Sequence, residues 1–263
     1  MDVAQVLARF DSEMRADPPP EPGTQVERVG SVVRVLGDSC SVSFSQLTPS
    51  DAGAVIAEQT AFFRSLGKRV EWKVYGHDLP SDLGERLREA GYAPDPTETF
   101  MVFDLADALD PGPRPAGVEI RRVTDRGGLE TAVAVGHDAF GRGEGWTFEE
   151  YAGRLSGPSL AILLAYADGA PVASGRLEMP PDRRFASLWG GGTAPSHRGR
   201  GIYRALVGAR AELARRRGYR FLTVDALPTS RPILERVGFR PLTSITGWVL
   251  EPGHDERGEA QPS

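Results

Sequence analysis

Cysteine is almost absent from the sequence: Cys40 is the only one among 263 residues. A lone cysteine excludes an internal disulfide and a cysteine-rich zinc site, and this predicts a reducing, cytoplasmic environment. Cys40 lies in a strand-like stretch of serine and valine, with no histidine near it in the sequence. We therefore interpret it as a small strand residue rather than as a nucleophile.

Long hydrophobic runs are missing as well. The longest, around Leu160 to Ala167, is far too short to span a bilayer. Residues 1–15 lack the basic start and the apolar core of a signal peptide. The net charge of −5 gives the chain as a whole no attraction for polyanions. We therefore expect neither a membrane nor a nucleic acid as a partner.

Apolar residues are present in ordinary number. The hydrophobic fraction of 40% and the charged fraction of 25% are typical of globular proteins, and 263 residues suit two domains. The proline-rich run from Asp110 to Pro115 can continue neither a helix nor an inner strand. We place the boundary there and predict domains at 1–110 and 117–251, followed by a disordered tail at 252–263.

The apolar periodicity of the second half changes repeatedly between that of strands and that of helices. From Val118 to Leu250 it predicts the order β-α-α-β-β-β-α-β-α-β, which is typical of an α/β (α+β) fold with a mixed central sheet. The first half repeats the end of that order, with a Gly-aromatic pair after its last helix at Gly91 as at Gly238. We interpret it as a truncated, degenerate copy. Chance is the alternative, because glycine commonly ends a helix.

The stretch from Gly190 to Tyr203 carries the clearest chemistry, because it links a strand to a helix through a turn rich in glycine and arginine. Glycine allows a ligand close to the backbone, and a helix that begins at Ile202 exposes unpaired N–H groups. Arg198 and Arg200 add charge-assisted donors. The stretch predicts a pyrophosphate site, and a flexible basic turn is the alternative.

Here the sequence resembles the GNAT superfamily of N-acyltransferases, whose pyrophosphate loop reads Arg/Gln-x-x-Gly-x-Gly/Ala at the start of a helix. Arg198–Tyr203 matches that loop, and Thr193–Arg198 matches the strand-x-Pro-x-x-Arg segment before it. Ile233–Phe239 matches a later helix that runs into Gly-Phe. The resemblance covers about Val118 to Leu250. It implies a central sheet of the acyl-CoA N-acyltransferase type, in tandem with the degenerate first half.

The resemblance also implies acetyl-CoA as a co-substrate and no metal. Three consecutive glycines weaken a strand, which suggests either a bulge close to the ligand or packing under Trp189. The expected coenzyme-binding residues lie in this strand, in the loop and at the next helix start: Gly191, Gly192, Thr193, Arg198, Gly199, Arg200, Gly201, Ile202, Tyr203 and Ser230.

Two residues depart from the family pattern. Tyr203 replaces a small residue, and Leu234 stands where many members carry a tyrosine that can protonate the departing thiolate. No acid lies in the central strand from Ala186 to Thr193, so Glu178 and Asp225, each ending a strand, are the candidates for the catalytic base. A solvated strand end and a helix N-cap are the respective alternatives.

The resemblance implies an N-acetyltransferase that moves an acetyl group from acetyl-CoA to a primary amine of a small molecule or peptide. The reaction would be a direct attack in a ternary complex. Two alternatives stay open. One is a non-catalytic acyl-CoA-binding regulatory module, favoured by Leu234, and the other is a nucleotide-binding protein of another fold. The sequence does not name the acceptor, and it leaves a homodimer open.

Overall fold

The computed structural model describes residues 1–141 and 147–252. The tail predicted at 252–263 lies outside the described residues, apart from Pro252. Over the described residues, no helix combines the length and the apolar character that crossing a membrane requires.

Helices and strands are numbered separately in chain order. The helices are α1 (Val3–Phe10), α2 (Ala52–Leu66), α3 (Leu83–Glu89), α4 (Arg126–Phe140), α5 (Phe148–Ala152), α6 (Ile202–Arg216) and α7 (Arg231–Val237). The strands are β1 (Gln25–Val29), β2 (Val32–Leu36), β3 (Cys40–Ser45), β4 (Val70–Tyr75), β5 (Ala93–Pro94), β6 (Glu98–Asp104), β7 (Val118–Arg122), β8 (Leu160–Ala167), β9 (Ala170–Glu178), β10 (Phe185–Thr193), β11 (Phe221–Ala226) and β12 (Arg240–Leu250).

The chain forms two compact units that are not continuous in sequence. The C-terminal unit consists of Met1–Leu7 and Thr99–Leu242, and the N-terminal unit consists of Ala8–Glu98 and the described residues from Thr243 onward. Two strands therefore belong to a unit that their position in the sequence does not suggest. β6, from the first half of the chain, pairs with β11 of the C-terminal unit, and β12, at the end of the chain, pairs with β4 of the N-terminal unit. This partition differs from the ranges 1–110 and 117–251, which stay a prediction.

The C-terminal unit contains a mixed sheet in the order β7-β8-β9-β10-β11-β6. Its neighbouring strands are antiparallel except β10 and β11, which are parallel and joined by α6. The element order from β7 to β12 is β-α-α-β-β-β-α-β-α-β, so the predicted order and the mixed-sheet fold class are confirmed.

Helices cover both faces of this sheet, which explains the unbroken apolar run of β8. Ile162 and Leu164 belong to the core that includes Leu129 of α4, whereas Leu163 and Ala165 belong to the core that includes α6. We call the two sides the α4 face and the α6 face. Because side chains alternate along a strand, a residue next to one assigned to the α6 face lies on the α4 face.

The N-terminal unit has the sheet order β1-β2-β3-β4-β12, with β5 paired to β12. β3 and β4 are parallel and joined by α2, as β10 and β11 are joined by α6. Phe63 of α2, Leu83 of α3 and Trp72 of β4 are fully buried in its core. The recurrence of strand, helix, strand and helix supports the interpretation of the first half as a degenerate copy, which stays a prediction.

Candidate active site

The parallel strands β10 and β11 separate part of the way along their length. They pair from Phe185 with Phe221 to Leu188 with Val224, and no further. Beyond this point β10 continues beside β9, and β11 continues beside β6. The end of β10 therefore presents backbone N–H and C=O groups that no described strand pairs on the β11 side. We call this opening the strand gap.

A bulge lies in β10 at the strand gap. Trp189 pairs with Arg176 and Gly192 pairs with Ser174, so β10 has one residue more than β9 between these pairs. A Cβ on Gly192 would lie only 2.6 Å from the Cβ of Ala139 at the end of α4. The register shift shows that the bulge, one of the two expectations for these glycines, is present. Residues of α4 pack directly against Gly192 and leave no room for a side chain there.

The glycine- and arginine-rich loop connects β10 to α6. Gly199 and Gly201 have φ angles of +75° and +79°, which favour glycine, and Gly201 is the N-cap of α6. The bond from the Ala205 N–H to the Gly201 carbonyl opens the helix. The N–H groups of the first three helical residues, Ile202 to Arg204, therefore have no carbonyl partner within α6. Such a terminus favours an anionic group by hydrogen bonding and by its dipole.

The arginines of this loop differ in what they do. Arg198 donates from Nε to the Thr193 carbonyl at 3.2 Å and from Nη2 to the Ala139 carbonyl at 2.8 Å. Its guanidinium thus ties the loop to the ends of β10 and α4. Arg200 is exposed. The backbone N–H groups, with Arg200, are consequently the better candidates for phosphate contact.

Two further residues predicted to bind the coenzyme, Tyr203 and Ser230, and the departure at Leu234 can be located in the structure. Tyr203 packs its ring against the side of Gly191, and burial raises the pKa of its hydroxyl although Arg210 opposes that effect. Ser230 precedes α7, and its hydroxyl donates to the Leu227 carbonyl at 3.2 Å instead of capping the helix. Leu234 is 0% exposed in the core on the α6 face, so its position supplies neither a hydroxyl nor access to solvent.

The two candidate bases lie on the same face of the sheet. Leu177 of β9 and Val224 of β11 belong to the α6-face core, so the adjacent Glu178 and Asp225 point to the α4 face. Glu178 accepts a hydrogen bond from Arg154 at 3.3 Å and is mostly buried. β9 and β11 are two strand spacings apart, roughly 10 Å, so the two carboxylates are alternatives rather than a close pair.

Three buried polar atoms near the bulge have no hydrogen-bond partner among the described residues. They are Ser174 Oγ on β9, Thr193 Oγ1 at the end of β10 and Arg210 Nη2 on α6. The anion-favouring helix start lies at the outer end of β10. Over the described residues, no group of acidic, histidine and cysteine side chains could hold a metal ion.

The N-terminal unit has a similar gap that is filled by its own side chains. β3 and β4 pair only from Cys40 with Val70 to Val42 with Trp72, and Ser43 forms a bulge. Arg15 donates to the Ser43 carbonyl at 3.3 Å. Its guanidinium also lies 3.9 Å from the centre of the Tyr75 ring at the end of β4, and it donates to Asp78 at 2.9 and 2.6 Å. These contacts close the gap between the two strands.

Comparison with known proteins agrees with this geometry. Residues 128–239, which are less than half of the chain, match the family model described as the acetyltransferase (GNAT) family. No curated protein sequence matches the chain.

Solved structures with the same fold extend over nearly the whole chain. A GCN5-related N-acetyltransferase from Kribbella flavida is 19% identical, with a TM-score of 0.68 over 96% of this chain and 95% of that one. A tandem GNAT protein from the clavulanic acid biosynthesis pathway is 19% identical, with a TM-score of 0.62 over 97% and 96%. A GCN5-related N-acetyltransferase from Sphaerobacter thermophilus is 18% identical, with a TM-score of 0.63 over 96% and 93%. The GNAT fold is therefore established, and tandem arrangements of it are known.

Proposed function

We propose that the chain is an N-acetyltransferase that uses acetyl-CoA and acts on a primary amine of a small molecule or peptide. The observation that carries the proposal is the strand gap, which opens beside the N-terminus of α6 within the segment that matches the GNAT family. A pyrophosphate at that helix start and a pantetheine arm in the gap would place the acyl group against the bulge of β10.

The proposed contacts divide along the ligand. Gly199, Arg200, Gly201, Ile202 and Tyr203 offer backbone N–H groups to the pyrophosphate, and Arg198 holds their loop in place. Ser230 remains a candidate for the coenzyme arm. Gly191, Gly192 and Thr193 lie beyond the last pair of β10 with β11 and are the candidates to face the acyl carbonyl from the β11 side. Backbone donors that are fixed before the reaction stabilise negative charge as it develops on that oxygen.

The chemistry needs a neutral amine in a ternary complex. The acceptor nitrogen forms a bond to the acyl carbon, the carbon–sulfur bond breaks with its electron pair on sulfur, and a nearby base accepts the nitrogen's proton. Glu178 is the first candidate, because it pairs across to Ser187, one residue before the strands separate. Its carboxylate is held in place by Arg154 at 3.3 Å. Asp225 is the second candidate.

Release of coenzyme A thiol from acetyl-CoA, measured over a library of amines, tests the proposal. An N-acetyltransferase releases thiol only with suitable amines and yields the corresponding amide. The alternative is an acyl-CoA-binding regulatory module, and the buried Leu234 favours it because the usual hydroxyl is missing. Such a module would bind acetyl-CoA in calorimetry and release no thiol with any amine.

Replacing Glu178 by Gln should reduce turnover about 10²-fold, because the variant cannot accept the proton of the amine. It should also leave acetyl-CoA affinity unchanged, because Glu178 lies away from the proposed pyrophosphate site. Glu119→Gln is the matched control, since it breaks an exposed pair with Arg121 on the edge strand β7. Full turnover of Glu178→Gln with the true acceptor would transfer the role of base to Asp225 or to a bound water molecule.

The N-terminal unit is proposed to be structural, so calorimetry should give one coenzyme A per chain. Its strand gap is filled by Arg15, and the loop before α2 carries an acid, Asp51, which accepts a hydrogen bond from the Thr48 N–H at 2.7 Å. A carboxylate at that helix start would repel phosphate. A measured stoichiometry of two would contradict this assignment.

A further inference from the structure

Arg210 is a buried cation beneath the bulge of β10. It is 1% exposed on the inner side of α6 and donates from Nη1 to the Arg176 carbonyl at 3.0 Å and from Nε to the Leu206 carbonyl at 3.3 Å. Nη2 has no hydrogen-bond partner among the described residues. That nitrogen would lie 2.9 Å from a Cβ on Gly191, and Nη1 would lie 2.8 Å from one on Gly175. Two adjacent strands thus carry glycine where the guanidinium approaches them.

The charge of this guanidinium is not balanced by a neighbouring carboxylate among the described residues. Burial lowers the pKa of Arg210 to about 10, with Tyr203 opposing the shift and Arg176 adding to it. The group therefore remains protonated at neutral pH. A buried cation is unfavourable unless negative charge compensates it, so a role in which such charge forms nearby would explain its presence.

We propose that Arg210 is a positioning residue whose buried charge stabilises the thiolate of coenzyme A at the strand gap. The inference rests on the proposed function, which places the acyl group at the open edge of β10 beside Gly191, and the guanidinium lies against the α6 side of that residue. When the carbon–sulfur bond breaks, its electron pair remains on sulfur and the thiolate later takes a proton from water. A fixed cation in a poorly solvated site favours that anion. It would thus replace part of what a hydroxyl at the position of Leu234 would supply.

The test is the acid–base titration of the coenzyme A thiol bound to the full-length protein. Ultraviolet absorbance reports the thiolate, and the complex with desulfo-coenzyme A serves as the blank. A free thiol of this kind has a pKa of roughly 8.5. In the native complex we expect the thiolate fraction at neutral pH to be about tenfold higher than in free coenzyme A. This readout needs no acceptor and no turnover.

Variants separate the charge of Arg210 from its packing. Arg210→Met and Arg210→Gln, which occupy part of the same space without the charge, should both abolish the tenfold gain. Arg216→Met is the control, because it removes the same charge from an exposed position of the same helix. It should leave the titration unchanged.

The outcomes distinguish the inference from the function on which it rests. If coenzyme A binds and its thiol titrates as it does free in solution, the role of Arg210 is overturned and the proposed function stands. Retention of the shift in Arg210→Met has the same meaning. If Arg210→Met does not fold, Arg210→Gln supplies the comparison. If coenzyme A does not bind, both the function and the inference fail.

Discussion

Replacing Gly201 by Asp is expected to weaken acetyl-CoA binding at least about 100-fold. The substitution places a carboxylate at the N-terminus of α6, where the pyrophosphate would accept hydrogen bonds. The carboxylate and the pyrophosphate would compete for the same backbone N–H donors. The repulsion between these two negative groups is large in a poorly solvated site. The helix itself should survive, since aspartate is a favourable N-cap residue and among the side chains that best tolerate a positive φ. The loss should therefore appear in affinity rather than in folding.

Calorimetry with acetyl-CoA measures this effect directly, and Gly218→Asp provides the control. Gly218 follows the other end of the same helix and has a φ of +85°, and a Cβ added there would have no other atom within 4 Å. The control therefore introduces the same residue in the same backbone region. There it opposes the helix dipole and lowers stability modestly, but it lies far from the loop. Equal affinity in the Gly201→Asp variant and the native protein would exclude this loop as the coenzyme site.

The element order of the C-terminal unit could be predicted, because the apolar periodicity of each segment identifies it as a helix or a strand and a turn residue marks its end. The pairing partners of the strands at the unit boundaries could not be predicted. β6 belongs to the first half of the sequence, and its apolar run of Phe100 to Phe103 suits any inner position, so its pairing with β11 depends on long-range contacts. The hairpin of β1 and β2 was missed, although two alternating segments around Gly30 and Ser31 carry a recognisable turn signal.

The candidate site shows the same division. The loop from Arg198 to Tyr203 was predictable, because its glycines and its position between a strand and a helix are local features. The hydrogen bond from the Arg198 side chain to the Ala139 carbonyl could not be predicted, since the two residues are 59 positions apart in the sequence. Arg210 was missed for a different reason. It follows Leu206 by one helical turn and so lies on the apolar side of α6, but sequence patterns assign arginine to the solvent by default.

Arg15 carries the other large expected effect, which is on stability. We expect Arg15→Met to lower the free energy of unfolding of the N-terminal unit by about 3–5 kcal/mol. Arg15 and Asp78 are both almost fully buried and share two hydrogen bonds, so the variant would leave the Asp78 carboxylate buried without its cation. Urea titration followed by tryptophan fluorescence measures the loss, because Trp72 and Trp248 are buried in this unit.

A matched control and a double variant make the prediction specific to burial. Arg28→Met removes an ion pair with Asp17 in which both side chains are more than half exposed, and it should cost less than about 1 kcal/mol. Adding Asp78→Leu to Arg15→Met removes the orphaned charge and should recover part of the loss. The recovery should be incomplete, because Asp78 also accepts a hydrogen bond from the Tyr75 N–H at 2.9 Å. Equal losses in the Arg15→Met and Arg28→Met variants would contradict the prediction.

The contacts of Asp11 with His77 and Arg15 predict how the stability of the N-terminal unit responds to acid. Burial by itself raises the pKa of Asp11, but hydrogen bonds from His77 and Arg15 outweigh it and hold that pKa below its ordinary value of 3.8. A carboxyl with a lowered folded-state pKa stabilises the native state above its unfolded-state pKa, and this contribution disappears as the pH falls through the folded-state value. Asp11→Asn should therefore reduce stability at neutral pH and lose its effect in acid below about pH 4. An effect of Asp11→Asn that stays constant from neutral to strongly acidic pH would show that this carboxylate is not held by His77 and Arg15 as the structure shows.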